Sequence, residues 1–174
     1  MRRAPDPELI ALARKGSGEA AAILFDRYWP TAWAAAYAVT ADRTLADDAA
    51  QEAIQRAFAA LHRFDVTRPF GPWLKRIAVN RAIDYVRRSS RVEPLHPWAL
   101  GEQAEHDLQL WAVADAVAAL GEGKRLVVVL HYWLDFPLEE IAGVLGLPVG
   151  TVASRLSRAL AELRVALGEE EHVL

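Results

Sequence analysis

Apolar residues recur at three- and four-residue intervals along most of the chain, and no stretch shows the two-residue alternation of a half-buried strand. Punctuating residues predict where the helices begin and end. Asp6-Pro7 reads as an N-cap followed by proline in the first helical position, opening a short helix that closes near Gly16. Ser17 caps a second helix, residues 19 to about 40, with Ile23, Trp29 and Trp33 suited to burial. Thr44 and Asp47 have capping-box spacing for a third helix reaching about His62, with Ala50, Ile54, Phe58 and Leu61 as its apolar face. Two prolines and a glycine make residues 64–72 a loop, and a fourth helix follows over residues 73–88.

Over residues 92–107 the periodicity stops. Pro94, Pro97, Gly101 and four acids describe a connector there. Helices are predicted again over residues 108–120, 124–134, 138–145 and 149–167, with a pause at Gly121-Glu122-Gly123. Val127-Val128-Val129 is β-branched but has no partner strand, so it is expected to be helical. The predicted fold is all-α: two small helical domains, residues 1–91 and 108–174, joined by the linker 92–107.

Composition agrees and narrows the chemistry. Hydrophobic residues make up 53% of 174, enough to bury a core, and many are Ala and Leu, strong helix formers. The absence of cysteine excludes disulfides, thiolate zinc and a catalytic thiol. His62, His96, His106, His131 and His172 lack ligand spacing, so neither a metal nor another cofactor is expected. The start has no apolar signal core, and the run over residues 28–41 is too short and broken by Pro30 to span a bilayer. A cytoplasmic protein without membrane insertion is expected. The net charge of −3 hides an asymmetry: residues 1–91 carry +5 and residues 108–174 carry −4. Arg63 to Arg91 alone holds eight basic residues against Asp65 and Asp84, which points to a polyanionic partner.

Three constellations stand out. Residues 138–156 read as a short helix, a turn containing Gly146 and Pro148, and a longer helix, the pattern of a helix-turn-helix. Ile141 and Leu145 are placed to meet Val152, Leu156 and Leu163. Ser154, Ser157 and Arg158 then face outward, where a recognition helix presents side chains to the major groove. The second constellation is basic and aromatic, residues 63–81. Arg76, Asn80 and Arg87 fall on one helical stripe, with Trp73, Leu74, Ile77 and Tyr85 over much of the rest. Cations supply phosphate contacts and aromatic rings supply surfaces for unpaired bases. Trp73 is open to two readings, core packing and stacking, whereas the arginines as a group favour nucleic acid. The third is acidic: Asp47, Asp48, Gln51, Glu52 and Gln55 share a helical face taken as opposite Ile54 and Phe58. No histidine joins these carboxylates and no phosphate-binding glycine loop exists, so the face reads as solvated or as a dock for a basic partner.

Taken together, these residues resemble the sigma factors of the sigma-70 family, in the small extracytoplasmic-function group. Residues 6–91 resemble the region-two domain through Asp48-x-x-Gln51-Glu52 and Arg68-Pro69-Phe70-x-x-Trp73-Leu74-x-x-Ile77-Ala78-x-Asn80. Residues 108–170 resemble region four through His131-Tyr132, Glu139-Glu140-Ile141-Ala142 and Thr151-Val152-x-Ser154-Arg155. The resemblance implies a transcription initiation factor without enzymatic activity. Its partners would be core RNA polymerase and promoter DNA; the Pro/Gly-containing connector 92–107, which imposes little rigid geometry, adds the expectation of an anti-sigma protein wedged between the domains. Core polymerase would dock on Asp47, Asp48, Gln51 and Glu52. The −10 element, melted and with a base flipped out, would be read by Phe64, Asp65, Arg68, Phe70, Trp73, Lys75, Arg76, Asn80, Arg87 and Arg88. The duplex −35 element would be read by Thr151, Ser154, Arg155, Ser157 and Arg158.

The chain departs from that family pattern in places. Ala153 stands where Lys or Arg is frequent, and region four is acidic, which implies modest −35 affinity. Pro137 replaces a capping Ser or Thr, removing a contribution of about 1 kcal/mol. Ala53 and Ile54 replace a Thr-Phe pair, which predicts looser packing of that helix. Two other readings compete. A stand-alone helix-turn-helix regulator explains residues 138–167 but leaves the basic loop and the acidic face without roles, and a helical enzyme lacks an assembled catalytic set.

Overall fold

The computed structural model describes residues 3–88 and 108–168, and among them every regular element is helical. The chain divides into two compact units, Met1–Val92 and Glu93–Leu174. The expected connector, residues 92–107, lies outside the described residues.

Unit 1 contains α1 (Asp6–Arg14), α2 (Gly18–Thr40), α3 (Arg43–Ala60), a 3-10 turn (Leu61–Arg63) and α4 (Phe70–Arg88). Helices α2, α3 and α4 pack on one another, and α1 lies against α2. Small residues dominate the seams: Ala32 and Ala36 on α2, Ala46, Ala49, Ala50 and Ala53 on α3, and Ala78 and Ala82 on α4 are all buried. Backbones approach closely there, and the larger Leu9, Ile10, Leu24, Leu74 and Val79 fill what remains. Ala53 and Ile54 are 0% and 4% exposed, so the smaller pair is fully enclosed in α3's packing. Pro30 sits inside α2 without ending it, on the exposed side of the helix.

Several helix starts differ from expectation. Pro5, not Asp6, is the N-cap of α1, because the Asp6 carboxylate is engaged by Arg27 and Tyr28 of α2 instead of its own first turn. Ser17 caps α2 as expected, accepting from Ala20 N at 3.3 Å. The cap of α3 is Asp42, accepting from Leu45 N at 3.0 Å, not Thr44, which is the second residue of the helix. An aspartate was available two residues earlier and caps at least as well as threonine. Helix α4 starts at Phe70 rather than Trp73, since the first turn tolerates the missing N–H of Pro72. Trp29, Trp33 and Phe58 are half-buried where burial was expected.

Unit 2 contains α5 (Leu108–Ala119), α6 (Glu122–Val128), a wider π turn (Val129–Trp133), α7 (Leu138–Leu145) and α8 (Val149–Ala166). Helix α8 is the centre of this unit, contacted by α5, α6 and α7. Val127, Val128 and Val129 are helical and at most 2% exposed, so their β-branching serves the core. Helix α7 ends at Gly146 in the left-handed conformation, φ +67°, where the amides of residues 146 and 147 both donate to Ala142 O. Two residues later Pro148 starts α8.

Candidate nucleic-acid interface

The loop over residues 64–69 is organised by its own polar groups. Asp65 Oδ1 accepts from Thr67 N at 3.0 Å and from Thr67 Oγ1 at 2.7 Å, and Arg68 N donates to Asp65 O at 3.0 Å. The hydroxyl and amide of Thr67, then the charge of Arg68, hold the Asp65 carboxyl below the usual aspartate range. At the base of the loop, Phe64, Phe70 and Trp73 form one aromatic cluster. Phe64 lies 4.7 Å from Trp73 and 5.4 Å from Phe70 between ring centroids, and Phe70 packs edge-on against Tyr28 of α2 at 4.9 Å. Gly71 lets this corner close, because a Cβ there would stand 3.2 Å from the Tyr28 ring.

These contacts correct part of the sequence expectation. Phe64 and Phe70 are 7% and 3% exposed, so they are not open stacking surfaces; they build the floor of the loop. Above that floor is a half-open cleft of about 320 Å³ lined by Ala60, Arg63, Phe64, Asp65, Arg68 and Trp73. Trp73 is half-buried: it packs on Phe64, in line with the core reading, and one side of it lines the cleft. Arg76, Asn80 and Arg87 are exposed along α4, as their spacing predicts, and Arg88 is exposed beside them, while Lys75 is half-buried. Arg81 turns inward to α3.

On α3, Asp47, Asp48, Gln51 and Gln55 are exposed. Phe58 is not opposite them: it follows Gln51 by seven residues, two turns along the same stripe, and is half-buried. Asp47 Oδ1 accepts from Trp33 Nε1 of α2 at 2.6 Å. Glu52 differs from its neighbours. Its carboxylate pairs with Arg56 at 2.6 Å and faces Arg81 of α4 at 3.7 Å, while Arg81 pairs with Asp84 at 2.6 Å. The Arg56 hydrogen bond, ahead of the Arg56 and Arg81 charges and a Tyr85 hydrogen bond, holds Glu52 below the usual glutamate range. The Tyr85 hydroxyl is pushed up, by burial first and then by the Glu52 and Asp48 charges. Glu52 therefore ties α3 to α4, and the exposed part of the acidic face is Asp47, Asp48, Gln51 and Gln55.

In the helix-turn-helix, Ile141 and Val152 are 0% exposed and Leu156 8%, while Leu145 and Leu163 are half-buried at the margin. Ser154, Ser157 and Arg158 are exposed on α8 and Thr151 is half-buried. The Ser154 hydroxyl donates to Thr151 O at 3.0 Å, leaving its oxygen able to accept. Arg155, which the resemblance implies for −35 reading, stands apart from Ser154, Ser157 and Arg158. Its guanidinium reaches back to α6, so that a Cβ on Gly123 would stand 3.2 Å from it. Being three residues after Val152 and four before Ala159, both buried, it lies on the packed side of α8.

Arg63 and Arg14 were absent from the residues singled out as a site. Arg63 stands at the start of the basic stretch 63–81, where its charge is legible and the cleft it lines is not. Arg14 lies some fifty residues away in a different helix, and no local pattern connects it to the loop. No group of three or more metal-ligating side chains and no helix long and apolar enough to cross a membrane occurs among the described residues.

Comparison with known proteins gives a consistent picture. The family described as Sigma-70 region 2 matches residues 24–92, and that described as Sigma-70, region 4 matches residues 110–163. The chain is 32% identical to the ECF RNA polymerase sigma factor SigW of Bacillus subtilis, covering 91% of this chain and 94% of that protein. It is 34% identical to the ECF RNA polymerase sigma factor SigL of Mycobacterium tuberculosis, covering 84% and 88%. Among solved structures, that of CnrH in complex with the cytosolic domain of CnrY matches with a TM-score of 0.59 at 33% identity, covering 95% of this chain and 99% of that one.

Proposed function

The chain belongs to the sigma-70 family, among its extracytoplasmic-function RNA polymerase sigma factors, and we propose from that premise how its surfaces divide the work of promoter recognition. Unit 1 docks core RNA polymerase through Asp47, Asp48, Gln51 and Gln55, and takes an unpaired −10 base into the cleft bounded by Arg63, Asp65, Arg68 and Trp73. The arginines neutralise the flanking phosphates, and the Trp73 face and the Asp65 carboxylate, which can only accept hydrogen bonds, distinguish among bases. Arg76, Asn80, Arg87 and Arg88 continue the path along α4. Unit 2 reads the duplex −35 element with Ser154, Ser157 and Arg158. Arg155 holds α8 against α6 and acts on DNA through that placement. The protein carries out no reaction of its own and works in the cytoplasm, where polymerase and promoter are.

The observation that carries this reading is the pairing, in one chain, of a cationic aromatic cleft with a separately folded helix-turn-helix. A duplex-binding regulator needs only the second. The relative CnrH is in complex with the cytosolic domain of another protein, which supports a protein partner for this chain as well; we infer that this partner is an anti-sigma protein. The test is co-elution with core polymerase followed by transcription from a promoter library. Polymerase-dependent initiation supports the reading; operator binding that neither needs nor recruits polymerase refutes it.

A further inference from the structure

Arg14, the last residue of α1, lays its guanidinium across the root of the recognition loop. Nε donates to the carbonyl of Leu61 at 2.9 Å, and Nη2 donates to the carbonyl of Phe64. Leu61 opens the 3-10 turn and Phe64 is the first residue after it, so one planar group ties both ends of that turn. The Leu61 carbonyl also accepts from Phe64 N at 3.2 Å, and the guanidinium adds to that bond while reaching the Phe64 carbonyl with a second donor in fixed relative geometry. Lysine offers a single point charge. The burial of Leu9 and Ile10 fixes α1, and the reversal of the chain at Gly16, φ +89°, ends the helix just past Arg14.

What Arg14 fixes is the floor of the cleft. Phe64 carries one of the two bridged carbonyls, and its ring lines the cleft and packs on Phe70 and Trp73. Arg63 lies between the tied residues and Asp65 directly after them. We propose that Arg14 is a positioning residue for −10 base recognition: by holding the Leu61 and Phe64 carbonyls it sets where Phe64, Arg63 and Asp65 stand around the base. Helix α1, which precedes the matched residues 24–92, is then part of the apparatus that reads the opened strand. The inference rests on the cleft being the base site.

The experiment uses the full chain with core polymerase on promoter fragments carrying 2-aminopurine at successive −10 positions, whose fluorescence reports unstacking. Arg14→Ala and Arg14→Lys are compared with Arg68→Ala, alongside polymerase affinity and binding of a duplex −35 fragment. Both Arg14 variants are expected to lose about tenfold in −10 base discrimination, with lysine giving little rescue, while polymerase and −35 binding stay unchanged. If discrimination survives in both while Arg68→Ala loses it, the inference is wrong and the cleft reading stands. If Arg68→Ala also keeps discrimination, the cleft reading fails and the inference with it. Joint loss of polymerase binding, −35 binding and discrimination in both Arg14 variants shows a role in the fold alone and overturns the proposal.

Discussion

In unit 1 two helices start on side-chain caps, Ser17 for α2 and Asp42 for α3, whereas α6, α7 and α8 of unit 2 start at Gly121, Pro137 and Pro148 with no side chain bonded to the first turn. Length differs in the same sense. Helices α2, α3 and α4 have 23, 18 and 19 residues, and α6 and α7 have 7 and 8. Helices shorter than about 12–15 residues are marginal on their own, so α6 and α7 exist through their packing on α8. Unit 1 holds its cleft on a frame that is locally determined. Unit 2 holds the short α6 and α7 against its 18-residue recognition helix through tertiary contacts, and its acidic sequence attracts DNA less at long range.

The largest expected effect exploits that dependence. Ile141→Ala should destabilise unit 2 by about 2–5 kcal/mol, because a fully buried side chain shared by α7 and α8 is removed. Hydrogen exchange resolves the units: amides of α7 and α8 should lose protection while those of α2 and α3 keep it. Equal losses in both would show a single cooperative block. Next comes docking. Asp47→Lys with Asp48→Lys should weaken core-polymerase binding by about tenfold and make it less salt-dependent, leaving the melting of both units nearly unchanged. Unchanged affinity in the folded double variant removes the acidic face from the account.

Caps offer a smaller and symmetrical check. Asp42→Ala should cost unit 1 about 1 kcal/mol, and Pro137→Asp should add a similar amount to unit 2 by supplying the missing cap. Calorimetry that shows no gain from Pro137→Asp would mean that backbone geometry, not capping, limits α7. Smallest is the acid response of unit 1. The folded-state pKa of Glu52 is lowered, chiefly by Arg56, so its contribution is complete above the ordinary glutamate value of about 4.3 and fades as pH falls through the lowered one. Glu52→Gln should flatten that acid limb slightly, since the pair is partly exposed and screened. An unaltered stability profile from pH 5 to 2 would show that the α3–α4 tie contributes nothing.

Sequence patterning was most informative where one signal acted alone. The bounds of α7, the turn at Gly146 and the exposure of Ser154 and Arg158 follow from apolar spacing and one glycine. It misled where two residues competed for one task, as Asp42 and Thr44 did for the cap of α3, or where a polar side chain found a distant partner. Asp6 abandoned its cap for Arg27 and Tyr28, Glu52 turned to Arg81, and Arg155 packed against α6. Aromatic residues in the loop were ambiguous for a related reason: Phe64 and Phe70 are buried by Tyr28 and Trp73, which only tertiary structure brings near.

We propose that unit 2 reads duplex and unit 1 reads opened strand. Initiation assays with Arg158→Ala, Arg68→Ala and the double variant, on promoters changed base by base at −35 and −10, test it most directly. Arg158→Ala should lose about 1–3 kcal/mol of discrimination at −35 positions only, and Arg68→Ala should lose discrimination at −10 positions only. The double variant should show both losses added. If either single variant alters selectivity equally at the two elements, the division of labour is wrong.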